Sequence, residues 1–159
     1  MTPHRELIAG KLRHMRRMRE YLAHSHGNLL THGIVGKPIC ALTLQESEIL
    51  AAFRMRFSEF QEHLGKLLRA IAQEEEVEIT GFSDVLAFAE KAEILASADD
   101  WKKARDVRNQ INHEYEENER VLAPLIAEMA NCVPTLFLIH DRAAVYCTDR
   151  LGVKKGWAT

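Results

Sequence analysis

The strongest constraint on the fold is a long helical pattern of apolar residues in the middle of the chain. The segment Thr43-Leu44-Gln45-Glu46 has the form of a capping box, in which a threonine and a glutamate cap each other's backbone N–H groups. Apolar side chains then recur at three- and four-residue intervals up to about Glu75, at Leu50, Phe53, Phe57, Phe60, Leu64, Leu67, Leu68 and Ile71. This spacing is typical of the buried face of an amphipathic helix, so the segment predicts one long core helix.

The same periodicity continues through the rest of the chain in segments separated by helix-breaking residues. Glycines and Pro38 predict a loop from Gly27 to Leu42. Pro134 is expected to kink or restart the last helix. The predicted helices run from Pro3 to about His26, from Thr43 to about Glu75, from an N-cap at Ser83 to about Ser97, from a cap at Asp99 or Asp100 onward, and from near Asn118 towards the C-terminus.

These segments predict an all-α bundle of four to six helices in one domain covering residues 1–159. A chain of 159 residues can bury roughly 70% of the surface exposed by its unfolded form, which is enough for a self-sufficient core. We find no internal repeat and no linker long enough to separate domains. Residues 1–42 are predicted to form a basic helix and a loop, and residues 43–151 the core of the bundle.

The first helix is basic although the whole chain is not. Its cationic residues are Arg5, Lys11, Arg13, Arg16, Arg17 and Arg19. The formal net charge of the chain is −2, so any binding of nucleic acid has to come from local patches. The basic helix has two interpretations, a solvated surface or a surface that contacts an RNA backbone.

Composition favours a cytoplasmic protein that does not enter a membrane. No apolar run approaches the roughly 18 residues that a membrane span needs, and the N-terminus lacks the apolar stretch of a secretory signal. The three cysteines Cys40, Cys132 and Cys147 form no CxxC pair, which favours reduced thiols.

Metal binding is not predicted, and no cofactor is expected. His24 and His26 point about 200° apart on a helix, which makes them poor joint ligands unless the helix has ended. A carboxylate-bridged metal bundle needs inward Glu-x-x-His pairs, whereas Glu59 and His63 are four residues apart.

The candidate chemistry lies in the segment Arg108-Asn109-Gln110-Ile111-Asn112-His113-Glu114-Tyr115. The guanidinium of arginine stays protonated and can donate two hydrogen bonds to the oxygens of one phosphate, and histidine exchanges protons near neutral pH. The plain alternative is a surface Arg108 paired with Glu114 or Glu116, and a His113 satisfied at a helix end. The asparagines Asn109 and Asn112 are weak helix formers, which predicts that this helix ends within the segment.

Helical geometry restricts how Arg108 and His113 can act together. Residues five apart on a continuous helix diverge by about 140° at about 100° per residue, so the two side chains of one chain would not converge on one atom. Either the helix breaks between them, or two copies of the segment meet across a symmetric interface.

The sequence resembles the HEPN domains, and within them the HepT-like toxin group, whose signature has this Arg-x4-His-x-Tyr spacing. The segment "SADDWKKARDVRNQINHEYEENERV" is similar to the pattern of that group around the motif. The segments "RMRFSEFQEHLGKLLRAI" and "FSDVLAFAEKAEIL" resemble the helices upstream of it. The resemblance covers roughly Thr43 to Leu151. Residues 1–42 have no recognised counterpart, and Glu116 and Glu117 fill positions where the family often has proline.

The resemblance implies an antiparallel, up-down bundle and a two-fold homodimer whose Arg and His pairs line a shared cleft. It implies a metal-independent endoribonuclease toxin, with Arg108 and His113 as catalytic residues and a 2′,3′-cyclic phosphate as product. Asn109 matches a polar residue common in the family, and with Asn112 could orient the phosphate. Tyr115 matches the position at which a nucleotidyltransferase antitoxin attaches adenylate. Its alternative role is packing under the next helix.

A binding function without cleavage remains the alternative. Some proteins similar to this family were viewed as the substrate-binding half of a nucleotidyltransferase pair. A nucleotide pocket of that kind would use the same Arg108 and His113.

Overall fold

A computed structural model describes residues 2–114 and 119–153, and within them the chain forms helices and no strand. The all-α prediction is therefore confirmed. The five α-helices are α1 (Pro3–Thr31), α2 (Leu44–Glu74), α3 (Phe82–Lys91), α4 (Ala98–Glu114) and α5 (Glu119–Leu151), with a short 3₁₀ helix at Ile39–Ala41.

Helices α1 and α2 form a long antiparallel pair. At one end, Nδ1 of His4 lies 2.8 Å from a carboxylate oxygen of Glu74. Further along, the rings of His14 and His63 are 5.3 Å apart, and at the other end His26 stacks on Phe53. Along these contacts the residue numbers rise on α1 and fall on α2, so the two helices are antiparallel.

Helix α5 is the third long element and packs against both α1 and α2. The Phe60 ring of α2 meets the Phe137 ring of α5 edge to face at 5.4 Å. On the α1 side, the Arg19 guanidinium donates to the carbonyl oxygen of Phe137 and to the carboxylate of Asp141. These three helices enclose most of the aromatic core, and α4 adds the buried Trp101.

The capping-box prediction for α2 is confirmed. The Thr43 hydroxyl accepts from the backbone N–H of Glu46 at 3.1 Å, and the Glu46 carboxylate accepts from the N–H of Thr43 at 3.0 Å. The apolar side chains predicted to line the helix, from Leu50 to Ile71, are all buried.

The predicted end of α1 near His26 is wrong, because the helix continues through Gly27 to Thr31. Leu22 and Leu29 keep one buried stripe across the glycine, so packing outweighs the weak helix propensity of Gly27. The helix ends at Thr31, and Gly33, just past the cap residue His32, takes a left-handed φ of +62°. The N–H of Ile34 then bonds the carbonyl of Leu29, as in a Schellman motif.

Three further boundary predictions are wrong. Helix α3 begins at Phe82 rather than after Ser83, because the Asp84 carboxylate accepts from the backbone N–H groups of Thr80 and Gly81. It ends at Lys91 rather than Ser97, where Glu93 takes a left-handed φ of 63°. Helix α4 begins at Ala98, before Asp99 and Asp100. Separately, helix α5 continues through Pro134 without restarting, so the kink stays the open alternative for this proline.

Two glycines of α1 give a matched pair of stability predictions. We expect Gly27→Ala to raise the free energy of unfolding by about 1 kcal/mol, because this exposed helical position has open space for a methyl group. Gly33→Ala should lower it by about 1 kcal/mol, because alanine is strained at this left-handed φ. Urea unfolding of both variants checks the pair, and two changes of the same sign would contradict the described end of α1.

Among the described residues, α5 is the one helix long and apolar enough to cross a membrane by length and composition. Half of its most apolar window, which has a mean hydropathy of 1.7, is buried inside the fold. Core helices of soluble proteins pass the same test, so this finding is weak evidence about the location of the chain.

Candidate functional site

The described part of the candidate motif, from Arg108 to Glu114, lies on the last two turns of α4, next to the core. Trp101, Ala104, Val107 and Ile111 form the buried side of this helix. Arg108 is half-buried beside them, whereas the side chains of Asn109, Asn112 and His113 are exposed. Arg108 therefore lies at the edge of the core.

Helix α4 is continuous from Arg108 to His113, so of the two arrangements left open by the sequence, a break between these residues is excluded. The buried side chains of Val107 and Ile111 continue the helical packing through the two asparagines. On a continuous helix the two residues are separated by about 140° around the axis and about 7.5 Å along it. Within one chain they therefore point to different sides of α4.

Each of the two candidate catalytic residues has an asparagine one turn away on its own side of the helix. Asn112 follows Arg108 by four residues, and Asn109 precedes His113 by four. Arg108 also lies beside Asn109, with one guanidinium N–H group 3.5 Å from the side-chain oxygen of Asn109. That contact is long for a hydrogen bond, so it restrains Arg108 only weakly.

The side chain of Arg108 lines a cavity of about 280 Å³ between α2 and α4. This cavity, which we call the α2–α4 cavity, is lined by Gln61, Glu62, Gly65, Lys66, Arg69, Phe82, Trp101, Arg105 and Arg108. Four of the nine lining residues are cationic and one is acidic. The available signal in the sequence was a pair of cations three residues apart on each helix, Lys66 with Arg69 and Arg105 with Arg108. Spacing along the chain does not reveal this cluster, because the cluster depends on how α2 packs against α4.

Other candidate residues lie apart from this cavity or outside the described part of the chain. Tyr115 and Glu116 belong to the residues that the structure does not describe, and so does the Glu114 side chain. The adenylation of Tyr115 and the ion pairs of Arg108 with Glu114 or Glu116 therefore stay predictions. His24 and His26 lie inside α1, where His24 contacts Asn28 and His26 stacks on Phe53.

Metal ligands and thiols contribute no further cluster within residues 2–114 and 119–153. No group of three or more His, Cys, Asp or Glu side chains there is placed to hold a metal ion. The three cysteine thiols are unpaired, with Cys40 exposed and the other two buried. Burial raises the pKa of the Cys147 thiol to about 12, so this cysteine stays protonated at neutral pH.

Comparisons with known proteins give the chain no relative. No protein-family model matches it, and neither a curated protein nor a solved structure is significantly similar to it. The HEPN resemblance therefore stays a prediction carried by the motif and the helices around it.

Proposed function

We propose that this protein is a metal-independent endoribonuclease of the HEPN class, the toxin of a toxin–antitoxin pair. The observation that carries the proposal is the continuous helix α4, on which His113 is exposed and Arg108 lines a cationic cavity. A proton-transfer group and a permanent cation are the two functions that cleavage of RNA needs.

The active site of this proposal is formed by two copies of the chain. Because Arg108 and His113 point about 140° apart on one helix, a single chain cannot direct both at one phosphate. A two-fold axis beside α4 would bring two arginines and two histidines to a shared cleft. The homodimer is thus part of the proposed mechanism.

In the proposed reaction, one His113 takes the proton from a 2′-hydroxyl, and the 2′-oxygen attacks the neighbouring phosphorus. The bond from phosphorus to the 5′-oxygen breaks, and the second His113 gives that oxygen a proton. Arg108 stabilises the negative charge on the phosphorane oxygens, since a guanidinium stays protonated throughout. Asn109 and Asn112 orient the phosphate. The products are a 2′,3′-cyclic phosphate and a 5′-hydroxyl.

Regulation in this proposal acts at Tyr115, on which a nucleotidyltransferase antitoxin places an adenylate group. Tyr115 is two residues from His113 in the sequence. The added phosphate would bring negative charge close to the cleft and oppose the entry of RNA. The support for this step is the position of Tyr115 in the motif.

The alternative proposal is a nucleotide-binding partner of a nucleotidyltransferase that does not cleave RNA. The cationic α2–α4 cavity favours this alternative as much as it favours the nuclease, because both functions bind phosphate. The two proposals differ in whether a bond breaks.

Cleavage of end-labelled RNA in excess EDTA tests the proposed function. We expect the purified wild-type protein to cut single-stranded RNA and to leave a 2′,3′-cyclic phosphate, because no step uses a metal ion. DNA of the same sequence is the matched control, since it lacks the 2′-hydroxyl and should stay intact. Binding of RNA without cleavage over a broad panel of sequences would favour the binding function, and cleavage of the DNA would contradict the mechanism.

A further inference from the structure

We infer that the α2–α4 cavity is a second phosphate subsite, which binds the backbone of single-stranded RNA next to the scissile bond. This inference rests on the proposed function, because it extends the substrate contacts of the same site. Arg108 links the two, since it belongs to the catalytic motif and also lines the cavity.

The cavity is built from one face of α2 and one face of α4, together with Phe82 at the start of α3. Gln61, Gly65 and Arg69 follow one another at four-residue intervals on α2. Arg105 and Arg108 lie one turn apart on the facing side of α4, which places them about 4.5 Å apart along the axis. A side chain at Gly65 would start 3.1 Å from Cζ2 of Trp101, so the glycine allows α4 to lie close to α2.

The carboxylates of the described residues neutralise little of the positive charge that lines the cavity. Among the described side chains, neither Arg69 nor Arg108 forms an ion pair with a carboxylate. Lys66 lies 3.5 Å from Glu62, and Arg105 lies 3.5 Å from Asp106, but both pairs are on the surface and contribute little. Because four cations around one cavity repel each other, a bound anion would relieve that repulsion. Guanidinium groups on both walls suit the oxygens of a phosphate in particular.

The remaining lining residues fit a nucleotide better than a bare anion. The Arg69 guanidinium lies 5.8 Å above the half-buried ring of Phe82, which offers an apolar surface beside the charges. Oε1 of Gln61 is buried and lacks a hydrogen-bond partner among the described residues. A turn of this amide about its last torsion would let it accept from a ribose hydroxyl, which an isolated phosphate ion does not provide.

Binding of labelled single-stranded RNA in a His113→Ala background tests the subsite without interference from cleavage. We expect the added pair Arg69→Ala and Arg105→Ala to raise the Kd at least tenfold. The slope of log Kd against log salt should fall by about 1, because fewer phosphates are neutralised. The control pair is Lys91→Ala and Lys102→Ala, which removes two exposed cations that do not line the cavity. The control should change the Kd less than threefold.

Replacement of the same two arginines by lysine controls for misfolding. Because lysine keeps the positive charge, the lysine pair should retain most of the salt dependence of RNA binding. Equal affinities for the alanine pair and the control pair would overturn the subsite. Full competition by a mononucleotide or by inorganic phosphate at micromolar concentration would also overturn it, because the cavity would then be a site for a free ligand. Cleavage by the wild-type protein is measured separately, so failure of the subsite and failure of the nuclease are distinguishable.

Discussion

His113→Ala is expected to lower the rate constant for RNA cleavage by about 10²–10⁴-fold, which is the usual contribution of a positioned acid or base. The imidazole of His113 is exposed at the end of α4, so its removal should leave the fold intact. The measurement is a single-turnover cleavage assay in EDTA together with the unfolding curve of each variant.

The control for this substitution is His24→Ala. His24 is also an exposed helical histidine, and its described contact is with Asn28, one turn along α1. We expect this variant to cleave RNA at the wild-type rate. Equal rates for the wild-type protein and His113→Ala would contradict the proposed mechanism, and an equal loss in both variants would point to a general effect of removing surface histidines.

The second large effect is a loss of stability when the pH falls from about 6.5 to about 4. His140 is buried on α5, next to the Arg19 guanidinium of α1 and the Asp141 carboxylate. Burial, reinforced by the positive charge of Arg19, lowers the pKa of His140 from 6.5 to about 4. Between about pH 4 and pH 6.5, His140 therefore binds a proton in the unfolded chain but not in the folded chain. The stabilisation is complete above pH 6.5 and is lost on acidification, by about 3 kcal/mol at most.

Urea unfolding at several pH values between 4 and 7.5 checks this effect, with His140→Gln as the comparison. Glutamine cannot titrate, so the free energy of unfolding should depend less on pH in the variant than in the wild-type protein. Burial also lowers the pKa values of His26 and His63, and their contribution of the same sign remains in both proteins. An identical pH dependence in the two proteins would contradict the account of His140.

Local sequence rules predicted helices well where packing and local chemistry agreed. The capping box of Thr43 and Glu46 and the apolar stripe up to Ile71 fixed α2 closely. The rules failed at Gly27, where the helix continues despite the poor helix propensity of glycine because Leu29 is buried in the core. They also failed at the end of α3, because Glu93 takes a left-handed conformation that usually signals glycine.

The candidate site was only partly accessible from sequence. The chemical types of Arg108 and His113 and their divergence on a helix follow from spacing alone. The sequence could not decide whether the two asparagines break the helix, because that depends on the burial of Val107 and Ile111. The four cations of the α2–α4 cavity come from two helices, and more than thirty residues separate Arg69 on α2 from Arg105 on α4, so their proximity is set by tertiary packing.

The central claim is that two copies of the chain share one active site, and subunit mixing tests it most directly. Wild-type protein is refolded together with a ninefold excess of the His113→Ala variant, so that most wild-type chains pair with an inactive partner. The control combines the same two proteins after separate refolding and is assayed at once. A shared cleft that needs both histidines predicts that the activity per wild-type chain is about tenfold lower in the co-refolded mixture. Equal activity in the two mixtures would show that each chain works alone and would contradict the account.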